Sequence, residues 1–145
     1  MSTEPSPPLP RPDPTTADDA HFWAALRDGE LHLQRCAACA TFRHPPRPVC
    51  ARCGSGGTEW IAVAGTGEIW SYTVIHPPTL PAFAARTPYV AVVVRLDEGV
   101  FLVSTLVERD GAWAEPPITI GARVELVPTV VDDELTLPYF RCVGA

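Results

Sequence analysis

Lysine is absent: all eleven cationic residues of this 145-residue chain are arginine, set against seventeen acidic residues for a net charge of −6. Proteins that hold nucleic acid by its phosphates need a dense cationic face, so general nucleic-acid binding is disfavoured. Long apolar runs are also lacking. The longest, such as Tyr89–Val94 and Val100–Val103, fall far below the roughly 20 residues that span a bilayer as a helix. The opening sixteen residues have neither the basic start nor the apolar middle of a secretory signal, and no membrane association is expected. Catalytic signatures are missing in turn: there is no glycine-rich phosphate loop, no Gly-x-Ser-x-Gly elbow and no His-Glu-x-x-His pair. The acidic residues sit mainly in turns. His21, His32 and His44 read as surface or packing residues, while His76, which ends a strand at the start of a long loop, is a contact candidate. No self-sufficient active site is expected.

What is present favours short strands. Hydrophobic residues make up 46% of the chain, interrupted by seventeen prolines. Residues 1–17 read as a disordered proline-rich arm, because they have almost nothing apolar to bury. Thr16 with Asp19 three residues later resembles a helix start, Phe22, Trp23 and Leu26 recur at helical spacing, and Gly29 supplies a stop. This predicts one short amphipathic helix whose aromatic stripe lies on the rest of the protein or on a partner. Phe22 and Trp23 are thus interface candidates. Alternation through Leu31, Leu33 and Arg35 predicts a strand leading into the first cysteine pair.

Cys36-x-x-Cys39, ten intervening residues, then Cys50-x-x-Cys53 is the spacing at which two knuckles bring four sulfurs together around a metal. Thiolates suit zinc, with iron as the less favoured occupant. Paired cysteines of this kind in a chain without an export signal point to metal rather than disulfides, and to a cytoplasmic location. Four protein ligands leave no coordination position for water, so the expected role is structural rather than catalytic. Cys142 stands apart and is expected to be a small buried apolar side chain.

Residues 18–57 therefore read as helix plus zinc ribbon, and 58–145 as an all-β domain. Strands are predicted at Trp60–Val63, Gly67–Ile75, Tyr89–Leu96, Val100–Val107, Ala122–Val131 and Leu135–Phe140, with tight turns at Asp97-Glu98-Gly99 and Asp132-Asp133-Glu134. Their number and spacing predict a five-stranded barrel of the oligonucleotide/oligosaccharide-binding (OB) type, making the whole protein mainly β. The loop from His76 to Pro88 is a candidate contact surface, with Phe83 as a possible interface residue and Arg86 as the group a phosphate would seek.

The order of these features, from His21-Phe22-Trp23 through the cysteine knuckles separated by Pro45-Pro46-Arg47 to Ser71-Tyr72-Thr73-Val74, Pro81-Ala82-Phe83, Pro88-Tyr89 and Leu137-Pro138-Tyr139-Phe140-Arg141, resembles the DUF35 family. The resemblance runs from about Asp18 to the C-terminus. It implies a rubredoxin-type zinc ribbon joined to an OB fold associated with acyl-CoA metabolism. It further implies an accessory subunit of a thiolase-like protein, including the lipid-transfer-protein type, in which the partner carries out thiolysis or retro-aldol cleavage of a CoA thioester, for example in steroid side-chain degradation. Some related systems fuse such a domain to a hydratase-like hot-dog domain; none is seen here, and a free-standing subunit is expected. Two other readings compete on the residues alone. One is a single-stranded nucleic-acid-binding ribbon and OB protein using Arg35, Arg43, Arg47 and Arg52; the other is a rubredoxin-like electron carrier with iron on the same sulfurs.

Overall fold

Thr16 turns the chain into helix α1 (Ala17–Arg27): its Oγ1 accepts a hydrogen bond from Asp19 N at 3.1 Å and its hydroxyl donates to Asp19 Oδ2 at 2.8 Å. One of the unpaired donors of the first turn is thereby satisfied. Gly29, at φ 80°, ends the helix, and Glu30 N–H bonds back to Ala25 O at 3.0 Å. In the computed structural model, which describes residues 8–144, α1 buries Phe22, Ala25 and Leu26. Of the expected arm, residues 1–7 lie outside the described residues. Within the remainder, Arg11 donates two hydrogen bonds to Asp132, at 2.7 and 2.9 Å.

Two antiparallel sheets follow. Strands β1 (Leu31–Cys36), β2 (Phe42–Arg43) and β3 (Thr58–Val63) form a small sheet in the order β2-β1-β3. Strands β4 (Thr66–Ile75), β5 (Tyr89–Leu96), β6 (Phe101–Ser104), β7 (Arg123–Val130) and β8 (Thr136–Cys142) form the second, in the order β6-β5-β4-β7-β8. The run from Thr58 to Val63 therefore pairs with β1 in the ribbon sheet, and the chain passes to the second sheet at Ala64–Gly65.

The second sheet curls until its edges meet. Past the end of β6, Phe140 N–H donates to Thr105 O at 3.2 Å and Val107 N–H to Phe140 O at 2.8 Å, in parallel register. Thr105, itself buried, donates its hydroxyl to Val90 O at 2.7 Å. The result is a mainly β protein with an OB-like five-stranded barrel. Curling demands close approach at Gly67, where an added Cβ would sit 2.3 Å from Arg95 O. A register shift between Ile69 and Ser71 places Trp70 outward, 53% exposed.

Alternation in β5 sends Val90, Val92, Val94 and Leu96 inward, where they join Ile69, Leu102, Leu106, Val124 and Phe140. Phe22, Leu26, Leu31 and Leu33 belong to the same cluster, so helix, ribbon and barrel share one core. Phe22, only 5% exposed, is taken up by that core. Cys142 does not follow expectation: it shares a strand face with the buried Phe140, but as the last residue of β8 it lies exposed, past the side chains that cover Phe140. Within the described residues no helix is long and apolar enough to cross a membrane.

Candidate metal centre and its surroundings

The cysteine-bearing turns are copies of each other. In the first, Ala40 N–H bonds to Cys36 O at 2.8 Å and Cys36 N–H to Thr41 O at 2.9 Å; in the second, Gly54 N–H bonds to Cys50 O and Cys50 N–H to Ser55 O, both at 2.9 Å. Each closes with a residue in the left-handed region, Ala40 at φ 62° and Gly54 at φ 78°. These turns aim four sulfurs at one point. All four Sγ atoms lie within 4.8 Å of one another, with Cys36–Cys53 at 3.5 Å and Cys39–Cys50 at 3.7 Å. A tetrahedron of metal–sulfur bonds about 2.3 Å long has sulfur–sulfur edges of about 3.8 Å, whereas a disulfide would require about 2.05 Å. The geometry is that of a metal site, with Cys36 and Cys50 buried and Cys39 and Cys53 at the surface.

Electrostatics agree. Thr41, whose hydroxyl oxygen lies 3.1 Å from Cys39 Sγ and whose backbone also bonds it, holds that thiol down to about 6. Cys53, although the backbone of Ser55 favours its thiolate, is pushed up to about 11, with the crowded sulfurs of Cys36, Cys39 and Cys50 opposing ionisation. Four converging thiolates repel; a bound cation removes that repulsion.

The loop between the pairs is tied to the ribbon sheet by Gln34, a residue that sequence reasoning passed over. Its Oε1 accepts from Arg43 Nε at 2.9 Å and from Arg47 N at 2.7 Å, while Arg43 Nη2 reaches Arg47 O and Thr58 Oγ1. Arg35 is paired with Glu59 at 2.8 Å. Two of the four arginines near the knuckles are thus engaged in structure, which weakens the case for a phosphate-binding patch.

The remaining candidates fall elsewhere. Arg86 closes a 3-10 turn, Pro81–Arg86, and lies over the Trp113 ring at 4.4 Å. Trp113 in turn meets Tyr89 at 5.1 Å, Tyr139 at 5.8 Å and Phe83 at 6.5 Å between centroids. Burial raises the Tyr139 phenol, with Arg86 acting in the opposite sense. His76 sits exposed beyond β4, outside this aromatic cluster. Trp23 is half-buried and lines an apolar groove with Phe22, His44, Pro45, Phe101 and Val103. Trp70 and Phe101, 5.0 Å apart, and Val103, 74% exposed, continue that apolar surface across the outside of the barrel.

A four-sulfur ribbon sharing a core with an OB barrel defines the class of protein. Family comparisons then place it. Residues 23–59 match the ChsH2 rubredoxin-like zinc ribbon domain and residues 60–128 the ChsH2 C-terminal OB-fold domain. A DUF35 domain-containing scaffold protein of Methanothermobacter thermautotrophicus is 36% identical over 101 residues, 69% of this chain and 72% of the relative. The chain belongs to the DUF35 family, in its ChsH2-type branch of ribbon and OB domains.

Longer relatives include a probable enoyl-CoA hydratase alpha subunit of Thermomonospora curvata, 46% identical over 140 residues. Another is the 3-oxo-4,17-pregnadiene-20-carboxyl-CoA hydratase alpha subunit of Mycobacterium tuberculosis, 33% identical over 98 residues. The matches cover 96% and 68% of this chain, but 42% and 30% of those relatives. Among solved structures, a chain of an Ltp2-ChsH2(DUF35) aldolase superposes with a TM-score of 0.80 at 44% identity, covering 92% of this chain and all of that one. A DUF35 protein of unknown function from Sulfolobus solfataricus shares the fold, with a TM-score of 0.59 at 16% identity and coverage of 88% and 87%.

Proposed function

We propose that this chain is a non-catalytic accessory subunit of an acyl-CoA-processing complex, that its four cysteines hold a structural zinc ion, and that its partner is a thiolase-fold subunit of the lipid-transfer-protein type. The observation that carries the reading is the likeness, over the whole of the matched chain, to the DUF35 component of a two-part aldolase. The closed four-sulfur site supports the division of labour, since a metal with four protein ligands organises the fold but cannot activate water. Zinc is favoured over iron because the site matches a zinc ribbon domain and because a structural role needs no redox change.

In this reading the partner carries out cleavage of a CoA thioester, with a steroid side-chain substrate as the sharper form. Trp23, Phe83 and the outward Trp70, Phe101 and Val103 supply the apolar contact surface, as charge-poor aromatic patches do in protein interfaces. Arg86 and His76, on the loop that joins the first two barrel strands, are the residues this reading assigns to contact with the CoA moiety or the partner, supported by the exposure of both residues and by the affinity of a guanidinium for phosphate.

Co-expression with a thiolase-fold subunit encoded nearby tests this directly. A stoichiometric complex that cleaves an acyl-CoA, with neither component active alone, is the expected result. A chain that remains monomeric in the partner's presence, or that turns over an acyl-CoA unaided, overturns it.

A further inference from the structure

Beside α1, three elements bring together side chains that the metal centre does not use. His21 of α1 faces His32 of β1, with Nε2 2.9 Å from Nδ1. On the far side of the His32 ring, Nε2 lies 2.8 Å from Glu30 Oε2. His21 also lies flat against Trp60 of β3, ring centroids 4.1 Å apart and planes inclined by 11°. The relay is thus carboxylate, imidazole, imidazole, indole.

Two ring nitrogens at 2.9 Å hold one proton between them: one donates N–H, and the other must offer its lone pair. His32 Nε2 faces the Glu30 carboxylate, which can only accept, and the hydrogen bond to His21 lasts as long as one of the two facing ring nitrogens keeps its lone pair. With both rings fully protonated, two cations stand face to face and the acceptor that joins helix to sheet is gone.

The other charged group facing His21 is Asp18, one turn earlier on α1, which acts weakly against this. From β3 comes Trp60, which does not titrate in this range. Burial, and after it the charge of His32, hold the His21 imidazole below its ordinary value.

We propose that His21, His32 and Glu30 form an acid-sensitive clasp between α1 and the ribbon sheet, closed while the histidine pair shares a single proton and opened by a second. The sign follows from linkage. A base whose folded-state value lies below the ordinary 6.5 takes up its proton more readily in the unfolded or locally opened state, so the clasp is at full strength above about pH 6.5 and weakens as pH falls below it. Because α1 carries Phe22 and Leu26 into the shared core and Trp23 to the apolar groove, opening the clasp loosens both. This inference does not depend on which partner the chain binds.

Amide hydrogen exchange of the full metal-loaded chain at pH 7.5 and 5.5, corrected for intrinsic exchange and with metal content checked at both, tests the proposal. Protection of α1 relative to strands β4 and β5 is expected to fall at least threefold at the lower pH. In His21→Gln, which can still hydrogen-bond His32 but does not titrate, that ratio is expected to be the same at both. Should the variant fold poorly, histidine side-chain NMR of the unaltered chain serves instead: His21 should titrate below 6.5, and His32→Gln should raise it. Unchanged relative protection of α1 in the wild-type chain, an equal acid loss in His21→Gln, or a His21 titration indifferent to His32 overturns the clasp.

Discussion

Ala40 and Gly54 occupy the same position in the two cysteine knuckles, each in the left-handed backbone region and each donating its N–H to the carbonyl of the cysteine four residues earlier. An L-residue with a Cβ is strained there by about 1–2 kcal/mol relative to glycine. Ala40→Gly should therefore raise stability by about 1 kcal/mol, and Gly54→Ala should lower it by a similar amount. Urea denaturation of the metal-loaded proteins measures both. Equal stability of all three would show that the knuckles are not constrained as the structure has them.

Gln34 anchors the proline-rich loop from within. Replacing it with leucine keeps the volume but removes the acceptor of Arg47 N and the shorter of the two acceptors of Arg43 Nε, which also reaches Arg47 O at 3.2 Å, at a cost of about 1–2 kcal/mol for part-buried donors. The loss should appear in the urea midpoint and as faster proteolysis between residues 44 and 49, with the cysteine ligands untouched. A neutral result would mean that water replaces the amide without penalty.

The two sequence-distant partners Asp97 and Arg123 give a pH-dependent prediction. Arg123 donates twice, at 2.8 and 2.9 Å, and with the Thr66 hydroxyl holds the Asp97 carboxyl down to about 2. A carboxylate depressed in the folded state stabilises it above the ordinary value near 4, and that contribution is lost as pH falls toward 2. The difference in urea midpoint between the wild-type chain and Asp97→Asn should therefore shrink between pH 5 and pH 3. Because both proteins share the cysteine site, acid loss of metal cancels in the comparison. A difference that stays constant with pH would contradict the assignment.

Much of this was legible because the information is local. The four cysteines announce a shared metal by spacing alone, Thr16 and Gly29 mark the ends of α1, and alternation from Tyr89 to Leu96 marks a barrel strand. What stayed hidden is pairing between distant segments. Nothing near Trp60 says that its strand joins β1 rather than the barrel, and nothing near His21 names His32 as its partner. Phe22 and Trp23 are adjacent and both aromatic, yet only the packed structure sends one into the core and leaves the other at a groove. Cys142 escaped because a strand's last residues follow alternation only while neighbours cover them.

The apolar outer surface of the barrel separates fold from association. Trp70→Ser and Val103→Arg alter exposed side chains, so each should change stability by no more than about 0.5 kcal/mol. In the proposed complex the same changes should weaken partner binding at least tenfold, as removal of exposed aromatic anchors does in interfaces. Titration by light scattering or calorimetry reads the effect. Unchanged affinity in both variants would place the interface elsewhere.

The most direct measurement is metal content on freshly purified chain, paired with a thiol count under native conditions. One zinc per chain is predicted, with Cys36, Cys39, Cys50 and Cys53 unreactive until a chelator is added, no visible absorbance, and unfolding of the ribbon when the metal is withdrawn. A folded protein without metal, its four thiols freely titrating or joined in disulfides, would contradict the account.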